Sequence, residues 1–246
     1  MEEVLGRKLG FAGPRPVLYL RSDNALIVAD IHFGYEEALA SQGVFVYGSQ
    51  FGKVMSAAKE AIASTGAKRL IINGDIKHVF ERLTRQERRE VKEFLLQLGE
   101  AGVKEIILVR GNHDNYVSPL LKDHGVSIVE DVLDIGEFSI THGHLEVELK
   151  GDYVIMGHEH PAVQISVGAY REKFKALLIM PTEKGKTLFV LPALGEYQFG
   201  NAAGLERESY LSPIIRSSGI PRRALPVLVD PRLGVYSLVE LEELYA

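Results

Sequence analysis

Five times along this chain an apolar run stops on a short polar cluster of Asp, Asn or His. Leu26 to Ala29 leads into Asp30 and His32, Leu70 to Ile72 into Asn73, Gly74 and Asp75, and Ile106 to Val109 into Gly111, Asn112, His113 and Asp114. Phe138 to Ile140 leads into His142 and His144, and Val154 to Met156 into His158 and His160. Six of the eight histidines fall in these clusters, leaving His78 and His124 elsewhere. Each apolar run reads as a strand, and open α/β sheets place their sites at the C-terminal ends of strands, so the five clusters point to one site.

The segments between the first clusters fit that reading. Val17 to Leu20 and Leu26 to Ala29 form an opening hairpin, and Tyr35 to Gln42 is a short helix closed by Gly43. A second helix runs from about Ser49 to Thr65, with Val54, Ala58, Ala61 and Ile62 on one face and Gly66 as its stop. Lys68 to Asn73 is the next strand. Thr84 and Glu87 make a capping box, in which hydroxyl and carboxylate each satisfy a free amide, ahead of the stripe Val91, Phe94, Leu95, Leu98. The opposite face of that helix, with Arg85, Arg88, Arg89 and Lys92, reads as solvated.

Strand alternating with helix up to Val109 implies a parallel sheet. Beyond residue 125 short strands follow one another: Val126 to Val129, Val132 to Ile140, Tyr153 to Met156, Val163 to Val167, Ala176 to Met180 and Thr187 to Leu191, with a turn at Glu183, Lys184 and Gly185. Pro192 to Pro231 is expected to be irregular and to shape the substrate site. Val235 to Val239 closes the chain as a last strand. The coarse reading is an α/β (α+β) fold, two mixed sheets packed face to face with helices outside, in a single domain over residues 1–246.

Composition limits the chemistry. With no cysteine, disulfides, thiol catalysis and thiolate metal sites are excluded, so a metal must be held by N and O donors. No apolar run reaches transmembrane length, and the charged N-terminus is unlike a signal peptide, so a soluble, cytoplasmic protein is expected. A net charge of −5 gives no global attraction to nucleic acid.

Asp, Asn and neutral His are the donors that bind borderline divalent cations. Their order resembles the five-motif signature of the calcineurin-like metallophosphoesterase superfamily: Asp30-Ile-His32, Gly74-Asp75, Gly111-Asn-His-Asp114, His142-Gly-His144 and Gly157-His-Glu-His160. The resemblance implies a four-layer αββα sandwich and two divalent ions, with Mn favoured and Fe, Ni, Co or Zn also suited. It puts Asp30, His32, Asp75 and His160 on one ion, and Asp75, Asn112, His142 and His158 on the other. His113 would face the substrate as general acid or phosphate contact, and hydrolysis would proceed by attack of a hydroxide bridging the two ions. The motif of phosphoprotein phosphatases is not reproduced, because His78 stands where their second Asp would be. Ala29 to Ala40, with Leu191-Pro-Ala193 and Leu211-Ser-Pro213, resembles the ligase-associated DNA-repair phosphoesterases and their archaeal relatives.

The expected activity is therefore phosphodiester hydrolysis, of nucleic acid or a cyclic nucleotide. Small-molecule phosphomonoester hydrolysis is the alternative, and a catalytically silent scaffold a further one. His144, Tyr197, Phe199, Arg207 and Arg216 are the candidate substrate contacts.

Overall fold

The structure is a computed structural model that describes residues 2–167, 170–198, 200 and 202–246. The first sheet contains β1 (Glu2–Leu5), β2 (Leu9–Phe11), β3 (Leu18–Leu20), β4 (Ala25–Val28), β5 (Arg69–Asn73), β6 (Glu105–Val109) and β7 (Ser127–Val129), hydrogen-bonded in chain order. Its first four strands are antiparallel neighbours, and β4 to β7 are parallel. The crossovers carry α1 (Tyr35–Ser41) with α2 (Gln50–Thr65), α3 (Arg85–Glu100), and α4 (Ser118–Asp123).

The second sheet is built from β8 (Val132–Ile135), β9 (Phe138–Thr141), β10 (Tyr153–Met156), β11 (Ala162–Val167), β12 (Tyr170–Pro181), β13 (Thr187–Val190), β14 (Leu225–Asp230) and β15 (Gly234–Ser237). Its spatial order is β15-β14-β12-β13-β10-β9-β8, with β11 hairpinned onto β12. Parallel pairs β9–β10 and β10–β13 sit among antiparallel ones, so this sheet too is mixed. Outside it lie α5 (Pro213–Ser218) and α6 (Leu241–Leu244).

Strand alternation divides the core into three layers. In β4 and β5, Leu26, Val28, Leu70 and Ile72 face α2 and α3, meeting Val54, Ala58, Val91 and Phe94, while Ile27 and Ile71 point the other way. Between the sheets these meet Ile140, Ile155, Leu177 and Phe189. Val154, Met156, Leu178 and Leu188 of the second sheet face outward onto Ile214, Ile215 and Leu241. Strands buried on both faces read as continuous apolar runs, which is why these segments stand out in the sequence.

The helix ends follow their capping chemistry. Thr84 accepts from the Glu87 amide and Glu87 reaches back to the Thr84 amide, the expected capping box, while Gly66 closes α2 at φ +67°. Three expectations change. Val132 to Ile140 is not one strand, because Gly136 at φ +56° turns β8 back onto β9. Pro192 to Pro231 is irregular only in part, since Leu225–Asp230 forms β14, which pairs with β12 through Leu225 to Leu228 and fills the core with Val227, Leu228 and Val229. The last strand spans Gly234–Ser237, short of Val239.

Candidate metal centre

The loops after β4, β5, β6, β9 and β10 gather along one edge of the sandwich. Parallel pairing continues past the strand ends: the Asp30 amide donates to Gly74 O at 3.1 Å and the His32 amide to Asp75 O at 2.9 Å. Asp30, His32, Asp75, His158 and His160 all adopt left-handed backbone, with φ between +47° and +69°. For non-glycine residues this conformation costs on the order of 1–3 kcal/mol each, and it persists where the surrounding structure enforces it. Here it turns each side chain inward. Three motif glycines leave the room required: a Cβ at Gly74 would lie 2.1 Å from His142 Nδ1, one at Gly111 2.3 Å from Asp75 Oδ1, and one at Gly157 2.7 Å from Asp30 Oδ2.

Two donor groups share Asp75, and a third unites His32, His78 and His113. Ligand atoms of Asp30, His32, Asp75 and His160 lie within 4.8 Å of one another, as do those of Asp75, His142 and His158. His160 Nε2 stands 3.1 Å from Asp30 Oδ1, and Asp75 Oδ2 lies 3.6 Å from His32 Nε2 and 3.4 Å from His142 Nε2. His142 donates Nδ1–H to Asn73 O at 3.0 Å, which leaves Nε2 facing the centre. Asn112 Oδ1 and His142 Nε2 are buried with no hydrogen-bond partner among the described residues. Buried polar atoms are rarely left unpaired, and divalent cations would satisfy both.

The charges agree. Burial works against ionised Asp30 and Asp75, yet the neighbouring imidazoles hold both carboxyls below the usual carboxylate range, His160 acting chiefly on Asp30 and His142 on Asp75. Burial lowers His32 to about 3 and His158 to about 4, so both imidazoles are neutral, the form that binds metal. Against the same burial, the Asp75 carboxylate lifts His142 to about 10. The carboxylates thus draw positive charge to their centre, and a divalent cation answers that attraction more strongly than a proton.

His113 borders this centre, its ring 5.1 Å from that of His32. Its Nδ1–H donates to the backbone carbonyl of His78, which fixes the tautomer and leaves Nε2 as the second ring nitrogen. Asp114 takes no part in that: fully buried, it accepts from the amides of Gly111 (2.8 Å), Asp75 (2.9 Å) and Ile76 (2.9 Å) and so locks two motif loops together. Burial first and Asp75 second push its carboxyl up to about 7. His78 itself adjoins the site, Nδ1 lying 3.4 Å from His32 Nδ1.

Gln50 is a further residue that the sequence pattern does not single out. Buried at the start of α2, it donates to Ile31 O and His32 O at 2.8 Å each and accepts from the amides of Glu196 (3.0 Å) and Tyr197 (3.4 Å). It joins the His32 loop to the segment beyond β13.

The candidate substrate contacts divide. His144 lies beside the cluster, 5.3 Å ring to ring from His142, with Nδ1 buried and unpartnered among the described residues. Tyr197 stacks on Tyr35, which touches His78. Phe199 lies outside the described residues. Arg207 is not brought to the cluster: its Nε donates to Gly219 O at 2.5 Å and its guanidinium pairs with Glu183 at the β12–β13 turn. Arg216 is exposed on α5, whose apolar face is spent on the outer core, and nothing among the described residues ties it to the cluster. His124 caps α4 through Leu120 O.

A family model described as calcineurin-like phosphoesterase matches residues 24–145. The crystal structure of the nuclease MPE from Pseudomonas putida is similar in fold, with a TM-score of 0.64 and 20% identity over 92% of this chain and 92% of that one. A protein of unknown function from Aquifex aeolicus (TM-score 0.39, 17% identity, 55% of this chain and 77% of that one) superposes only loosely. So does a Vps29 double mutant from Entamoeba histolytica (TM-score 0.33, 15% identity, 87% and 91%). No curated protein matches the chain.

Proposed function

Since this chain carries a calcineurin-like phosphoesterase domain and is a metal-dependent phosphoesterase, we propose that it hydrolyses phosphodiesters, working as a single domain. The observation that carries the diester reading is the charge around the site: among the described residues no arginine forms an ion pair within the cluster, and Lys77, fully buried, spends its ammonium on Val79 O. A dianionic monoester needs more positive charge than a monoanionic diester, and such a site offers little beyond its metals. The Pseudomonas putida protein is a nuclease by name, and nucleases cleave phosphodiesters. The likeness of residues 29–40 to ligase-associated phosphoesterases supports the same class.

In this reading Asp30, His32, Asp75 and His160 hold one cation, and Asp75, Asn112, His142 and His158 a second. The mixed N and O set suits Mn, Fe, Co, Ni or Zn. Divalent ions so held supply an activated water and neutralise charge on the phosphoryl oxygens. His142 is oriented by Asn73 O, and Asp114 keeps the Asp75 and Asn112 loops in register. His113, its Nδ1 proton committed to His78 O, presents Nε2 to the leaving oxygen; in the imidazolium form it gives the Nε2 proton to that oxygen and is left as the neutral Nδ1–H imidazole.

The deciding variant is Asp75→Asn, which keeps the shape but removes the shared charge. Loss of hydrolysis of bis(p-nitrophenyl) phosphate together with a drop in bound Mn, measured by elemental analysis, is expected. Near-normal turnover with two metals per chain would sink the two-cation reading.

A further inference from the structure

Resting on the phosphodiester reading, we propose that the rings of Tyr197, Tyr35, His78, His113 and Phe80 form a stacking strip for nucleobases flanking the scissile phosphate, so that the diester is a short nucleoside ester. The rings are contiguous. Tyr197 and Tyr35 stack at 5.7 Å and 17°, Tyr35 meets His78 at 4.6 Å, His78 stacks on His113 at 5.7 Å and 14°, and Phe80 stands edge-on to His113 at 6.0 Å. The strip therefore passes the residue assigned to the leaving oxygen and extends to both sides of it.

Its rings reach solvent, and the backbone beneath them is tied to the fold. Tyr35, His78, His113 and Tyr197 are half-buried, and Phe80 is 50% exposed. Tyr35 is the first residue of α1, the Tyr197 amide is tied to Gln50, and Glu87 accepts from the amides of His78 and Val79 just before Phe80. A preset strip loses little conformational entropy when a flat ligand lands on it.

Electrostatics narrows the ligand. After burial, the nearby Glu36 carboxylate keeps the Tyr197 hydroxyl above its ordinary pKa, and the adjacent Lys53 is paired with Glu196 at 2.6 Å. With Lys53 committed to Glu196, the Tyr197 end of the strip offers a further phosphate little and accepts uncharged planar faces. It fits one or two nucleosides around a single phosphate better than a long polyanionic strand, whose binding would rest on Lys and Arg.

The test compares kcat/KM for the p-nitrophenyl ester of thymidine 5′-phosphate with that for methyl p-nitrophenyl phosphate. The nucleoside ester should be favoured by about tenfold, the scale of one stacked base. That ratio should fall towards unity in Phe80→Leu and Tyr35→Leu, and should not change with added salt. A second arm uses a dinucleotide containing 2-aminopurine with chelator-treated protein, where stacking quenches the fluorescence. Quenching that weakens in both variants supports the strip; an unchanged ratio in the variants, or no quenching, overturns it. If the wild-type protein hydrolyses neither ester, the phosphodiester reading fails, and the quenching arm still judges the strip alone.

Discussion

The hydrogen bond from His113 to the carbonyl of His78 decides which of its nitrogens can serve the reaction. His113→Asn should leave metal content intact and lower kcat by about 10²-fold or more, the size of a lost general acid. Metal lost along with activity would instead make His113 a ligand. The sequence marks His113 through its motif, yet its partner is invisible there, because every residue but proline carries the same donor and acceptor on its main chain. Asp114 is next to it in sequence, but neighbours on a loop often point apart, and the turn spends that carboxylate on three amides. The division into two donor sets is what the family resemblance implies; the clusters themselves were legible because each follows a strand end, where the direction of the chain is known. Arg207 and Arg216 were not, because no periodicity sets the direction of a side chain in an irregular segment.

At the scale of elements, α2 does more than cover the sheet. Its buried first residue, Gln50, links the His32 loop to Glu196 and Tyr197 by four hydrogen bonds. Gln50→Leu leaves those backbone groups unpaired, at roughly 1–3 kcal/mol for each that stays buried. The expected outcome is a lower melting temperature and about tenfold weaker Mn binding in a metal titration. Weaker folding with unchanged Mn affinity would confine Gln50 to stability. The strands of both sheets could be read from their apolar runs, but β14 was hidden among prolines, β1 opens on two glutamates, and β2 is only three residues long.

For the whole molecule, the two sheets meet at an edge where buried carboxylates crowd buried imidazoles, so fold and cation occupancy are linked. A ligand that binds only the native state adds about 4 kcal/mol when its concentration is about 1,000 times its dissociation constant. Chelation should therefore lower the melting temperature by several degrees, and added Mn should restore it, both read by calorimetry. An unchanged melting curve would argue against tight cation binding at this edge. The left-handed backbone at Asp30, His32, Asp75, His158 and His160 carries that linkage into sequence variation. Glycine would relax all five positions, so there the residue best for folding differs from the residue best for chemistry. A descendant released from catalysis would gain by drifting to glycine at those sites, and a homologous sequence carrying glycine there identifies itself as a fold that has retired from hydrolysis.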